Sequence, residues 1–168
     1  LLLEKEKVKV DPIDENGNSP LHLACGNASS QTILELINKR ADCSLKNSDG
    51  NTPLHLLSQN LNVSDPTAVL VYFSSAMMDF SAKNLKGETP LHFAANVSNV
   101  PMVNQLLEKG AKTFIQNSSA DTPVHIACRK PCLEVVELFI RHGADANLAG
   151  KDGTCLQTAE KAGQSNIA

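Results

Sequence analysis

One tetrapeptide recurs along the chain and constrains its fold more than any other feature. Ser19-Pro20-Leu21-His22, Thr52-Pro53-Leu54-His55, Thr89-Pro90-Leu91-His92 and Thr122-Pro123-Val124-His125 are four versions of it, and Thr154-Cys155-Leu156-Gln157 is a degraded fifth. The prolines at 20, 53, 90 and 123 set spacings of 33, 37 and 33 residues. A period of this length marks a stack of supersecondary units, none of which can bury its apolar face alone.

The residues around each tetrapeptide explain the unit. Ser or Thr before Pro is an N-cap, and Pro at the first helical position supplies a preset φ where no N–H partner is needed. A short apolar helix follows, as in Leu21-His22-Leu23-Ala24-Cys25 or Leu91-His92-Phe93-Ala94-Ala95, with small residues that admit a close neighbour. A second helix then carries wide aliphatic faces: Ile33-Leu34-Leu36-Ile37, Val69-Leu70-Phe73, Val103-Leu106-Leu107 and Val135-Val136-Leu138-Phe139-Ile140. Gly110 and Gly143 fall where a left-handed C-terminal cap is expected, and Asn, Asp and Gly lead into the next unit as turn chemistry.

These residues resemble the ankyrin repeat family, whose pattern of Gly, Thr-Pro-Leu-His, paired Ala and a later Gly-Ala-Asp-x-Asn is matched best by Gly143-Ala144-Asp145-Ala146-Asn147. The resemblance covers nearly the whole chain. It implies an all-α repeat solenoid of helix-turn-helix units with β-hairpin fingers and a concave groove. The expected divisions of this single domain are a second helix and exit at 1–13, repeats at 14–46, 47–83, 84–116 and 117–149, and a partial fifth at 150–168. Leu1 to Lys5 reads as a helix already under way, and Gly163 to Ala168 as the approach to another, so the chain is expected to be part of a longer polypeptide.

Departures from the pattern carry their own expectations. The four extra residues of the second repeat belong in a longer loop across Gln59 to Pro66. Leu57 stands where other repeats have Ala, and the exit Ser74-Ser75-Ala76-Met77-Met78 lacks the capping Gly, so local repacking with Met filling a gap is expected there. Ala120 occupies a finger Gly position, where a left-handed residue costs about 1 kcal/mol or more, and that finger is expected to turn differently.

Composition limits the function. Aromatic residues are 4% with no Trp, which thin layers of Leu, Ile, Val and Ala accommodate. A net charge of -3 argues against a general nucleic-acid binder, no apolar run is long enough to span a bilayer, and five scattered Cys favour reduced thiols in the cytoplasm, with the nucleus an alternative. The repeated histidines sit one per unit and so line up along the stack instead of converging; the resemblance implies that they tie turns together. His125, Cys128 and Cys132 form a partial metal pattern with no second pair, and Cys128 reads as a small packed hydrophobe. Four Asn-x-Ser/Thr triplets, at Asn27, Asn62, Asn96 and Asn117, are attributed to chance. No catalytic motif or paired carboxylates are present, and no cofactor is implied.

The resemblance places partner contacts on the fingers and at the ends of the first helices. Asp49, Leu85, Lys86, Glu88, Ser118, Ser119 and Lys151 are the selected finger positions, and Asn60, Asn96, Val97, Arg129, Lys130 and Lys161 the groove positions. Leu85 with Val97 reads either as a small apolar anchor or as two isolated surface residues. Arg129, Lys130, Lys151 and Lys161 make a basic end that either steers an acidic peptide or is a solvated face. The expected function is a non-catalytic, monomeric module binding a protein or peptide; the alternative is a regulatory or targeting domain of a larger enzyme or membrane protein.

Overall fold

The computed structural model describes residues 10–63 and 65–164; the helix read into Leu1 to Lys5 and the last residues from Ser165 lie outside them. Among the described residues are nine helices: α1 Pro20–Asn27, α2 Ser30–Asn38, α3 Pro53–Gln59, α4 Thr67–Ser75, α5 Pro90–Asn96, α6 Val100–Glu108, α7 Pro123–Cys128, α8 Leu133–Arg141 and α9 Cys155–Lys161. Helices of six to nine residues are marginal by themselves. Packing makes them: α1, α3, α5, α7 and α9 form one row, each against the next, while α2 meets α4 and α6 meets α8 in a second row. The core lies between the rows and is aliphatic, with Leu21, Ile33, Leu54, Leu70, Leu91, Met102 and Leu106 fully buried around Phe73 and Phe139.

The tetrapeptide works as a cap and a cross-tie. The backbone N–H groups of Ser19, Thr52, Thr89 and Thr122 donate to Nδ1 of the histidine three residues on, at 3.2, 3.1, 3.0 and 3.3 Å. An accepting Nδ1 places the ring proton on Nε2. That nitrogen donates across to the following finger, to the carbonyls of Asn51, Glu88, Asp121 and Leu148 at 2.9, 3.1, 3.0 and 2.8 Å. All four rings are buried. Desolvation holds His22 and His92 below the ordinary imidazole value and takes His55 down to about 4.

The fingers are tight turns bonded in series rather than long hairpins. Ser48, Leu85 and Ser118 each donate a backbone N–H to the preceding finger, at Asn16, Asp49 and Lys86. Asn47 and Asn84 accept two amides of their own finger on Oδ1 and send Nδ2 back to Asn18 and Asn51, both at 2.9 Å. In the fourth finger the expected different turn does not occur: Ala120 takes φ 61°, the left-handed conformation that Gly17, Gly50 and Gly87 take. Finger stacking imposes the turn on a residue that disfavours it.

The second repeat keeps its two helices but packs them differently. Asn60 to Pro66 connects α3 to α4 as the longer loop. Leu57 is fully buried where Ala24, Ala94 and Ala127 sit in the other units, and the backbones of α3 and α4 stay further apart than their counterparts. At its exit, Met77 adopts φ 51° as the left-handed cap, as Arg40 does at φ 63° one unit earlier. Met77 is 92% exposed, so it fills no gap; Met78 is the methionine that packs against the core.

One cysteine expectation is overturned. Cys128 and Cys155 are joined in a disulfide, with Cα atoms 5.9 Å apart, and only Cys25, Cys43 and Cys132 are free. Stacking α9 on α7 brings the two side chains together in a buried interface, which their distance in sequence hides. Cys128 is therefore more than a small packed hydrophobe. Desolvation pushes the Cys43 thiol up to about 11 and raises Cys25 further, which leaves both unreactive.

Candidate functional site

The inner-row helices and the fingers enclose a recess of about 430 Å³ spanning the second to fourth repeats. Phe93 of α5 and Ile126 of α7 supply its apolar surface. Gln59, Asn96 and Asn117 supply side-chain amides, and Glu88, Asp121, Arg129 and Lys130 supply charge. Phe93 is fixed by an edge-on contact with the His55 ring, centroids 5.4 Å apart. Phe93 and Ile126 occupy the position right after each tetrapeptide, so the cross-ties that hold the stack also aim these side chains.

Of the positions selected from sequence, Glu88, Asn96, Arg129 and Lys130 line this recess. Leu85 is 77% exposed in the finger, leaning on Gly50 of its neighbour, while Val97 is a half-buried cap at the C-terminal end of α5; neither lines the recess. Asp49, Lys86, Ser118 and Ser119 are exposed on the fingers. Asn60 does not face the groove. It is buried, and its Nδ2 donates to the carbonyls of Cys25 and Ala28 at 3.0 and 2.9 Å, tying the long loop to the first repeat. Phe93 and Ile126 were not among those positions, although they repeat in phase with the histidines.

The basic end is largely neutralised within the molecule. Arg129 donates to both carboxylate oxygens of Asp121, at 2.9 and 3.0 Å, and to Asp152 at 2.8 Å. Lys161 donates to the Asp152 carbonyl at 2.9 Å and lies 4.0 Å from its carboxylate. Lys151 is exposed, and its backbone N–H donates to Asp121 at 3.0 Å. Burial opposes ionisation of Asp121, but the Arg129 guanidinium and the Lys151 amide outweigh it and hold the carboxyl below its usual value. The same carboxylates raise Arg129.

A local change of chain length builds this cluster. The finger between Gly143 and Thr154 is one residue shorter than that between Gly110 and Thr122. Gly150 stands where Asn117 does one unit earlier, and the residue equivalent to Asp121 is missing. The His125 bond consequently lands on Leu148, and Gly150 and Gly153 bridge around Lys151 and Asp152. A Cβ on Gly150 would lie 2.6 Å from the His125 ring and 2.7 Å from Asp121 Oδ1.

Among the described residues, no group of three or more His, Cys, Asp or Glu side chains is arranged to hold a metal, and no helix is long and apolar enough to cross a membrane.

Comparison with known proteins agrees with the architecture. The chain is 27% identical over 133 residues to the human transient receptor potential cation channel subfamily A member 1, covering 79% of this chain and 12% of the channel. It is 30% identical over 140 residues to the mouse B-cell lymphoma 3 protein homolog, covering 81% and 31%, and 24% identical over 145 residues to the Arabidopsis thaliana potassium channel AKT2/3, covering 85% and 17%. The chain thus spans less than a third of the length of each of these relatives. A family model described as ankyrin repeats in three copies matches residues 1–70, 27–117, 65–150 and 91–168. With end-to-end matches laid over cross-tied helix pairs, the chain belongs to the ankyrin repeat family.

Proposed function

We propose that this chain is a non-catalytic recognition module that binds a protein or peptide through the concave side of its inner helices and the adjoining finger tips. The observation that carries the reading is the recess between the second and fourth repeats, where Phe93 and Ile126 are ringed by the amides of Gln59, Asn96 and Asn117. An apolar centre with a polar surround suits a docked segment, because the centre gains from leaving water and the amides satisfy the partner's backbone. Glu88, Lys130 and the exposed finger residues Asp49, Leu85, Lys86, Ser118, Ser119 and Lys151 extend the proposed contact surface.

Charge enters less than the sequence alone implies. With Arg129 and Lys161 paired internally, an acidic segment would meet chiefly Lys130 and Lys151. Reversing Lys130 alone is therefore the informative charge test, since a carboxylate at 129 would face Asp121 and Asp152 and strain the fold.

The relatives support a second, compatible reading, in which the module is a regulatory or targeting part of a larger channel or enzyme in the cytoplasm. Two of the relatives are channels that this chain covers by 12% and 17%.

The groove is tested by capturing partners from cell extract with the wild-type chain, with a Gln59→Arg, Asn96→Arg double variant, and with Glu108→Arg on the outer row. All three positions are exposed. Loss of captured proteins with the double variant alone is expected; equal capture by all three chains overturns the groove as the binding surface.

A further inference from the structure

We propose that the Cys128–Cys155 disulfide is a reversible redox latch that holds the last repeat in register and, with it, the Asp152 contact to Arg129 at the adjoining groove end. The bond joins the last residue of α7 to the first residue of α9 across two repeats, with a Cα separation of 5.9 Å that suits a disulfide without backbone movement. Elsewhere the described repeats are tied to each other by hydrogen bonds and burial.

Its location gives it leverage. Arg129 follows Cys128 directly, and Asp152, which receives the Arg129 guanidinium, belongs to the finger that leads into Cys155. The disulfide and the ion pair close the same stretch of chain, so the covalent bond keeps Asp152 within reach of Arg129. Opening α9 away from α7 removes Asp152 and Lys161 together, so the net charge is unchanged, but Arg129 loses its second carboxylate partner and is left on Asp121 alone.

Cys155 is also placed for this bond by a change in the tetrapeptide. It stands where Pro20, Pro53, Pro90 and Pro123 begin their helices, and unlike them it has a backbone N–H, which donates to the Ala146 carbonyl at 3.1 Å. The remaining thiols are not bonded: Cys25 and Cys43 are buried with raised values, and Cys132 is free.

The chemistry is thiol–disulfide exchange with a small thiol. One thiolate attacks a sulfur, forming a mixed disulfide and releasing the other cysteine, which takes a proton; a second thiol completes the exchange. Two cysteine thiols form here, and the two electrons come from two small thiols that leave as their own disulfide. Because Cys128 and Cys155 are 0% and 4% exposed, attack requires the last layer to open, and reduction then leaves that layer more open. Closing a loop with a sequence separation of 27 sets the size of the effect at about a hundredfold or more in the opening equilibrium of α9.

The test equilibrates the full 168-residue chain with reduced and oxidised glutathione in varied ratio, then counts thiols after denaturation and follows amide hydrogen exchange. Three titratable thiols are expected at the oxidised end and five at the reduced end, with α9 amides exchanging at least tenfold faster when reduced and α1 to α5 unchanged. Cys155→Ser should show the fast α9 exchange in every buffer, and Cys132→Ser should behave as wild type. Five thiols throughout, three thiols even in excess reduced glutathione, or α9 exchange indifferent to the redox state would each overturn the latch. Should Cys155→Ser fail to fold, the wild-type titration and exchange decide the matter without it.

Discussion

Two backbone positions show what single residues contribute. Ala120 holds φ 61° at an exposed finger tip, where L-residues are strained and glycine is not. Ala120→Gly should therefore stabilise the protein by about 1 kcal/mol in chemical denaturation, with partner capture unchanged. Gly150 makes the opposite case, because a Cβ there would press into His125 and Asp121. Gly150→Ala should cost more than about 2 kcal/mol by overpacking and by disturbing the buried Asp121–Arg129 pair, read as a fall in the denaturation midpoint. Ala120 was visible as a departure in the sequence, whereas Gly150 was not singled out there. The consequence of neither was legible, because the conformation at 120 is dictated by the finger before it and the space at 150 by a ring 25 positions away.

At the level of elements, the long loop of the second repeat is held by side-chain amides, with Asn60 the buried one among its own residues and Asn62 bonding the Asn27 carbonyl at 3.1 Å. Asn60 bonds two carbonyls at the end of the first repeat, and Asn99 reaches back at 3.4 Å to the carbonyls of Ser58 and Asn60. Asn60→Ala should lower stability by about 2 kcal/mol, the order expected for two buried carbonyls losing their donor, and should speed hydrogen exchange in the loop and α4 without changing α7 or α8. The helix starts and stops were legible because each depends on local chemistry, a capping hydroxyl with Pro after it or a left-handed exit. The inward turn of Asn60 was not, since its partners lie about one repeat earlier. The same holds for Arg129: a basic residue at a groove position reads as free until the shortened finger of the next unit brings Asp152 against it.

Across the whole molecule the four repeat histidines form one line of buried rings, and acid should unfold the stack through them. Burial lowers the folded-state values of His22, His55 and His92, so at these three positions the unfolded chain takes up protons first. Stability is at its full value above about pH 6.5 and falls as the pH drops towards 4, with His55 alone contributing a loss of about 3 kcal/mol over that window. Denaturant midpoints measured from pH 7.5 to 4.5 should fall steadily, and His55→Gln should flatten the curve. A midpoint that holds constant over this range would contradict the cross-tie account.

The shortened finger also bears on how units of this chain can be exchanged. Asp121, Arg129, Gly150 and Asp152 come from two successive units, and each is fitted to the absence of one residue in the second. A designer who shuffles the repeats as interchangeable bricks would leave Arg129 without Asp152 or Gly150 without its reason. The fourth and fifth units behave as a matched set, to be moved, duplicated or deleted together, whereas the seams between earlier units, made of repeated asparagine and histidine contacts, tolerate recombination.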